Sequence, residues 1–80
     1  SYSCPKLVGK QYLPAVDQTL ESSLNVGKLH FDETVKTYAD SVSAFVYQQR
    51  PVASEKVRMG TEVTMSLTTD PDKLPSSARK

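Results

Sequence analysis

The chain has 80 residues, with ten Lys or Arg against nine Asp or Glu, a formal net charge of +1, 38% hydrophobic residues, one cysteine and no tryptophan. A single domain of this size buries only about 60% of the surface its unfolded chain would expose, which leaves a thin core and no room for a deep catalytic cleft. The near-neutral balance, without a basic stripe, excludes the field of a nucleic-acid binder; the lone cysteine excludes an intrachain disulfide, and no run of about 18 apolar residues is present to span a membrane.

Residues 4–9 read as an extended opening, because the residue before Pro5 is pushed toward β or polyproline geometry. Cys4 reads as a small buried apolar side chain, since nothing places a base beside it. A helix follows. Its apolar positions Leu13, Val16, Leu20 and Leu24 recur at helical spacing and predict one buried stripe, so that Leu20→Ala would cost roughly 2–5 kcal/mol. Pro14 fits the first helical turn, and Gln11 occupies the capping position, where it caps poorly.

Residues 26–32 alternate as a strand, with Leu29 and Phe31 on one face and Lys28, His30 and Asp32 on the other. His30, the only histidine, reads as an exposed strand residue. The polar stretch 33–43 reads as an ordered surface loop anchored by Val35, Tyr38 and Val42. In the strand 45–49, Val46 and Gln48 point one way and Phe45, Tyr47 and Gln49 the other, until Pro51, which has no amide hydrogen for the ladder, ends it. Gly60 turns the chain into the strand 62–68, whose Val63, Met65 and Leu67 should face Val16, Leu20 and Leu24. Residues 1–69 thus predict an α+β domain, one α-helix packed on a sheet of about three β-strands. Residues 70–80, with prolines at 71 and 75, predict a linker or disordered tail in which Asp70 and Asp72 form a solvated turn.

Catalytic chemistry is not suggested by the residues. No Ser/His/Asp or Cys/His signature is present, the three glycines form no phosphate-cradling loop, and no metal-ligand or cofactor pattern appears. Recognition remains. Arg50, Lys56 and Arg58 lie in and around the turn between the last two strands and predict a ligand-binding surface, because guanidinium groups grip carboxylates in bidentate fashion. The competing reading is a charged turn that keeps the module soluble and blunts a sheet edge.

Four elements in order, Cys4-Pro5-Lys6-Leu7-Val8-Gly9, then Ala15 with Leu20 and Leu24, then Gln49-Arg50-Pro51, then Gly60-Thr61-Glu62-Val63-Thr64-Met65, resemble the signature of the PASTA domain, over residues 4–69. Two positions depart from that pattern: Ser54 and Ser23 stand where the family usually has glycine, which leaves the shape of the connecting turn and of the helix exit open. The resemblance implies a non-enzymatic extracytoplasmic module, in the periplasm or at the cell surface, of a membrane-anchored bacterial envelope protein. Its implied partners are peptidoglycan fragments (muropeptides) and neighbouring PASTA repeats of the same chain, with a ligand-free structural spacer as the alternative. A piece of a longer protein would account for the absence of a signal or anchor. The opening Cys4-Pro5-Lys6-Leu7-Val8-Gly9-Lys10 also resembles that of the potato inhibitor I family of serine-protease inhibitors, but only over the first third of the chain. There Pro51 would follow the one candidate cleavage-site arginine, Arg50.

Overall fold

A computed structural model describes residues 2–78. In chain order they form β1 (Tyr2–Ser3), α1 (Tyr12–Glu21), β2 (Asn25–Phe31), α2 (Tyr38–Ser43), β3 (Phe45–Arg50), β4 (Lys56–Val57) and β5 (Glu62–Thr68), then short 3-10 turns at Pro71–Lys73 and Ser76–Ala78. The architecture is α+β. The main helix α1 packs on a three-stranded sheet of order β2-β5-β3, and β1 and β4 form a separate two-stranded ribbon. Central β5 runs parallel to β2 and antiparallel to β3. Its alternation does what the pattern predicts, with Val63, Met65 and Leu67 in the core and Glu62 and Thr64 exposed.

The helix buries a different face from the leucine stripe. Leu13 and Leu20 are 45% and 53% exposed, whereas Ala15 and Thr19 are fully buried; Val16 is half-buried. Small side chains at 15 and 19 let the helix backbone approach the sheet closely, and the Thr19 hydroxyl is satisfied inside the helix by donating to the Ala15 carbonyl at 2.8 Å. Tyr12, on the same face, meets Phe31 of β2 edge-to-face at 5.2 Å between ring centroids. Leu24 is buried as expected, but from beyond the helix end. Gln11 caps α1 without a side-chain hydrogen bond.

The exit from α1 explains how Leu24 reaches the core. Ser23 adopts φ +64°; its N–H donates to the Leu20 carbonyl and that of Leu24 to the Thr19 carbonyl. This is the Schellman arrangement, in which a left-handed residue satisfies the last helical carbonyls. Ser54, at φ +73°, takes the corresponding left-handed role in the turn after β3, and its N–H donates to the Cys4 carbonyl at 2.8 Å. Serine therefore holds both backbone shapes that the family pattern assigns to glycine. Gly60, at φ +83°, sends its N–H to the Ser23 carbonyl at 2.8 Å and so ties the turn before β5 to the helix exit.

Two β-bulges set which side chains face out. The β3–β5 register shifts between Val46 and Gln48, leaving Tyr47 as the extra residue. In place of the simple alternation, Val46 and Gln49 share the core face, opposite Leu67 and Met65, while Gln48 and Arg50 lie outward, opposite Ser66 and Thr64. The β2–β5 register shifts between Val26 and Leu29, which keeps Val26, Leu29 and Phe31 level with Val63, Met65 and Leu67. Gly27 suits that bulge, since a Cβ there would stand 3.2 Å from both the Glu62 Cβ and the Val63 carbonyl oxygen.

Gln49, the buried polar residue of the core face, fastens the opening segment to β3. Its Oε1 accepts from the N–H groups of Leu7 (2.8 Å) and Val8 (3.2 Å), and its Nε2 donates to the carbonyls of Pro5 and Pro51, both at 3.0 Å. All four are backbone groups that no sheet ladder serves, which gives the Gln-x-Pro element a mechanical meaning.

The stretch 33–43 holds more order than a loop. Thr37 accepts from the Asp40 N–H, and the Asp40 carboxylate accepts from the Thr37 N–H, a reciprocal cap that starts α2. Residues 70–78, expected as a linker or tail, fold back on the domain. Leu74 is buried and Lys73 is ion-paired to Asp32 and Glu33. Arg79 and Lys80, the end of that segment, lie outside the described residues.

Candidate functional site

Arg50, Lys56 and Arg58 are all exposed, but Arg50 and Lys56 belong to two different sheets and Arg58 to neither. Lys56 lies in β4, opposite Ser3, and its Nζ donates to the Ser3 hydroxyl at 3.2 Å. Arg58 follows β4; its carbonyl accepts from the Thr61 N–H and hydroxyl, which fixes the turn before β5. Arg50 ends β3 on the three-stranded sheet, opposite Thr64. Lys56 and Arg58 thus lie two residues apart in and just after β4, while Arg50 lies on the other sheet. As a strand residue, Arg50 also lacks the extended loop that an inhibitor of the potato type would need.

Arg50 lies on the outward face of that sheet. The registers place His30 and Gln48 on either side of Ser66 and Arg50 beside Thr64, and Lys28, in the bulge between Val26 and Leu29, lines the same groove as Thr64. An open groove of about 470 Å³ is lined by Lys28, His30, Tyr47, Gln48, Thr64 and Ser66 over the edge of Met65. A smaller one of about 130 Å³ adjoins it at Gln48, Arg50, Thr64 and Ser66. Neither encloses a ligand; both are shallow and wet. Sequence alternation alone already put Lys28 and His30 on one face, but the bulge that brings Gln48 and Arg50 to the same side has no signal in the residues.

The strongest electrostatic cluster lies at the end of the sheet. The Asp32 side chain is only 5% exposed. Burial alone would raise its carboxyl pKa, but the Lys73 ammonium at 2.6 Å, the Thr34 hydroxyl and amide and the Thr68 hydroxyl outweigh that and hold it well below the usual carboxylate range. Hydrogen bonds to Asp32 and Glu33 hold Lys73 above the usual lysine range. The Thr34 hydroxyl also accepts the Thr69 N–H at 2.8 Å, so the cluster clamps the end of β5 to the loop after β2. These hydrogen bonds and ion pairs tie the loop after β2, the end of β5 and the 3-10 turn of Lys73 together, which marks a structural clamp.

The remaining sequence candidates occupy structural positions. Cys4 is buried beside Gln49, and burial pushes its thiol pKa up, away from the nucleophilic thiolate. The Asp70 carboxylate caps the first 3-10 turn by accepting the Asp72 N–H at 2.9 Å. Among the described residues no group of three or more His, Cys, Asp or Glu is placed to hold a metal ion, and no helix is long and apolar enough to cross a membrane. Comparison of the chain with family models, with curated proteins and with solved structures finds no match.

Proposed function

We propose that this chain is a non-enzymatic, extracytoplasmic recognition module of a bacterial envelope protein, similar to a PASTA repeat, that binds peptidoglycan fragments through exposed cations. The observation that carries the reading is the backbone at Ser23 and Ser54. At both places where the PASTA pattern has glycine, this chain adopts the left-handed conformation that glycine would supply, at some cost to serine. The Gln49 contacts support it too, since they give the Gln-x-Pro element and the opening Pro-x-Leu element one joint purpose. Arg50, Lys56 and Arg58 are solvent-facing, and the only ion pairs among the described residues involve Lys73, so these three cations are open to an anionic ligand.

Titration with purified muropeptides tests this. Binding by the parent chain that is lost in the Arg50→Ser/Lys56→Ser/Arg58→Ser triple variant, with the melt nearly unchanged, is the expected result, because exposed charges contribute only about 0–1 kcal/mol to folding. No binding by the parent chain would favour the spacer reading, in which the module sets distance between its neighbours.

A further inference from the structure

The outward sheet face forms a site that the sequence grouping did not contain, and we infer that it binds a carboxylate-bearing sugar. The inference rests on the wall-recognition reading for where such a sugar would come from; it shares Arg50 with that reading and adds Lys28, His30, Gln48, Thr64 and Ser66.

Cations outnumber carboxylates on the face. Among the residues of β2, β3 and β5 the only carboxylate is Glu62, which sits in register with Asn25 and lines neither groove. The grooves are lined instead by Lys28, His30 and Arg50, together with neutral Gln48, Thr64 and Ser66. Strands in a sheet lie about 4.8 Å apart, so Lys28 and Arg50, one strand away from Thr64 on opposite sides, stand about 10 Å apart across the face. His30, Ser66 and Gln48 form a second row two residues along. An anion seated between the two cations meets hydroxyls and an amide on the floor.

That floor decides the class of anion. The Ser66 hydroxyl and the Gln48 amide both donate and accept hydrogen bonds, which matches sugar hydroxyl and acetamido groups, and the Thr64 hydroxyl, which donates to the Arg50 carbonyl at 3.3 Å, can still accept; a phosphate offers only acceptors and would leave part of that capacity unused. Tyr47, held out by the bulge in β3, lines the same groove and adds an amphipathic ring at its side. An extended peptide is less suited, because peptides add to sheets through a free strand edge. This surface is a sheet face, both edges of β5 are paired, the outer edge of β3 already carries a bridge from Gln11 to Phe45, and a strand added to the outer edge of β2 would lie beside the face and not across it. Recognition here must come from side chains alone.

The test is a heteronuclear NMR titration of the whole chain with tri-galacturonate, with neutral chitotriose and with a glutamate-containing tripeptide. Tri-galacturonate should shift amides at Lys28, His30, Gln48 and Ser66 and bind most tightly of the three. Lys28→Gln and Arg50→Gln should each weaken it about tenfold, as loss of one charge-assisted contact does, while Lys10→Gln, at an exposed lysine outside both grooves, stays within about twofold. Undiminished spectral dispersion of each variant shows that the fold is intact. Shifts that map to β4 and Arg58, equal or tighter binding of the tripeptide or of chitotriose, or no shifts at all would each overturn the inference. Muropeptide binding that maps to β4 would leave the recognition reading standing without this face. Uronate binding on this face by a chain that ignores muropeptides would do the reverse.

Discussion

Replacing Gln49 by leucine removes one side chain that serves four backbone groups at once. The Leu7 N–H, in a residue with no exposed surface, is left without an acceptor, and that alone costs about 1–3 kcal/mol. The Val8 N–H and the carbonyls of Pro5 and Pro51 belong to partly exposed residues that water can reach, so each loses about 0.5–1.5 kcal/mol. The buried leucine returns about 1–2 kcal/mol of apolar transfer, leaving a net loss of about 2–5 kcal/mol. An 80-residue domain typically holds only about 4–12 kcal/mol, so Gln49→Leu should lower the melting temperature by more than about 10 °C. Urea unfolding followed by circular dichroism measures this, with the slope showing whether two-state behaviour survives. Gln49→Glu separates hydrogen bonding from packing: its oxygens still accept from Leu7 and Val8 but confront the Pro5 and Pro51 carbonyls. Burial beside those oxygens raises the pKa of the new carboxyl in the folded state, so its penalty should grow as pH rises above the ordinary glutamate value of about 4.3 and vanish below it. A loss below about 0.5 kcal/mol in Gln49→Leu, or a Gln49→Glu variant indifferent to pH, would refute the idea that Gln49 holds the two segments together.

Ser23→Gly and Ser54→Gly should each stabilise the domain by about 0.5–1 kcal/mol in the same urea assay, since relief of left-handed strain exceeds the entropy that glycine adds to the unfolded chain; a destabilised pair would show that the serine hydroxyls matter more than φ. Met65→Asp should unfold the chain by burying an unpaired carboxylate, whereas Leu20→Ala should change stability by under about 1 kcal/mol; a large loss at Leu20 would mean that the assigned helix face is wrong. Asp32 holds its proton more weakly folded than unfolded, so its contribution is complete above the ordinary aspartate pKa of about 3.9 and drains away as pH falls toward the folded value; that of Lys73 is complete below about 10.4 and lost as pH rises past it. Asp32→Asn should therefore be less stable at neutral pH and show a flatter acid limb, and an acid limb as steep as that of the parent would remove Asp32 as its source.

Strands and their inward faces were legible where one period governed a whole segment. Val63, Met65 and Leu67 pair with nothing but the core side of the sheet, and Leu29 with Phe31 behaves likewise. The helix face was misread because periodicity weighs residue size and the packing surface weighs closeness: Ala15 and Thr19 carry no bulk that a hydrophobic pattern would notice, yet they permit the tight approach of α1 to β2 and β3. The bulge at Tyr47 inverted the reading of Gln48 and Gln49, since one extra residue flips every later side chain and leaves no mark in the sequence. The cap that begins α2 was readable in Thr37 and Asp40, spaced as a reciprocal cap requires. Lys73 was not, because its partner Asp32 lies 41 positions away, and only the fold brings such groups together.

The separation of Arg50 from Lys56 and Arg58 also bears on which of them is better placed to bind. β1 and β4 contribute two residues each to their ribbon, and the Lys56 side chain is tied only to the Ser3 hydroxyl, so a ligand there must order flexible groups as it binds. Arg50 stands on a backbone already fixed twice. Its neighbour Gln49 is anchored by four hydrogen bonds below the sheet, and its own carbonyl accepts from the Thr64 hydroxyl at 3.3 Å alongside the β5 ladder. Only the guanidinium and its stem remain to be ordered, and the same holds for Lys28 across the face. Since both regions carry two cations in comparable solvent, their Coulomb terms are similar, and the difference in ordering cost favours the sheet face. Loosening β3 through Gln49 should therefore weaken ligand binding at Arg50 even under conditions where the variant remains folded, and an affinity at Arg50 that is unchanged in folded Gln49→Leu would refute this.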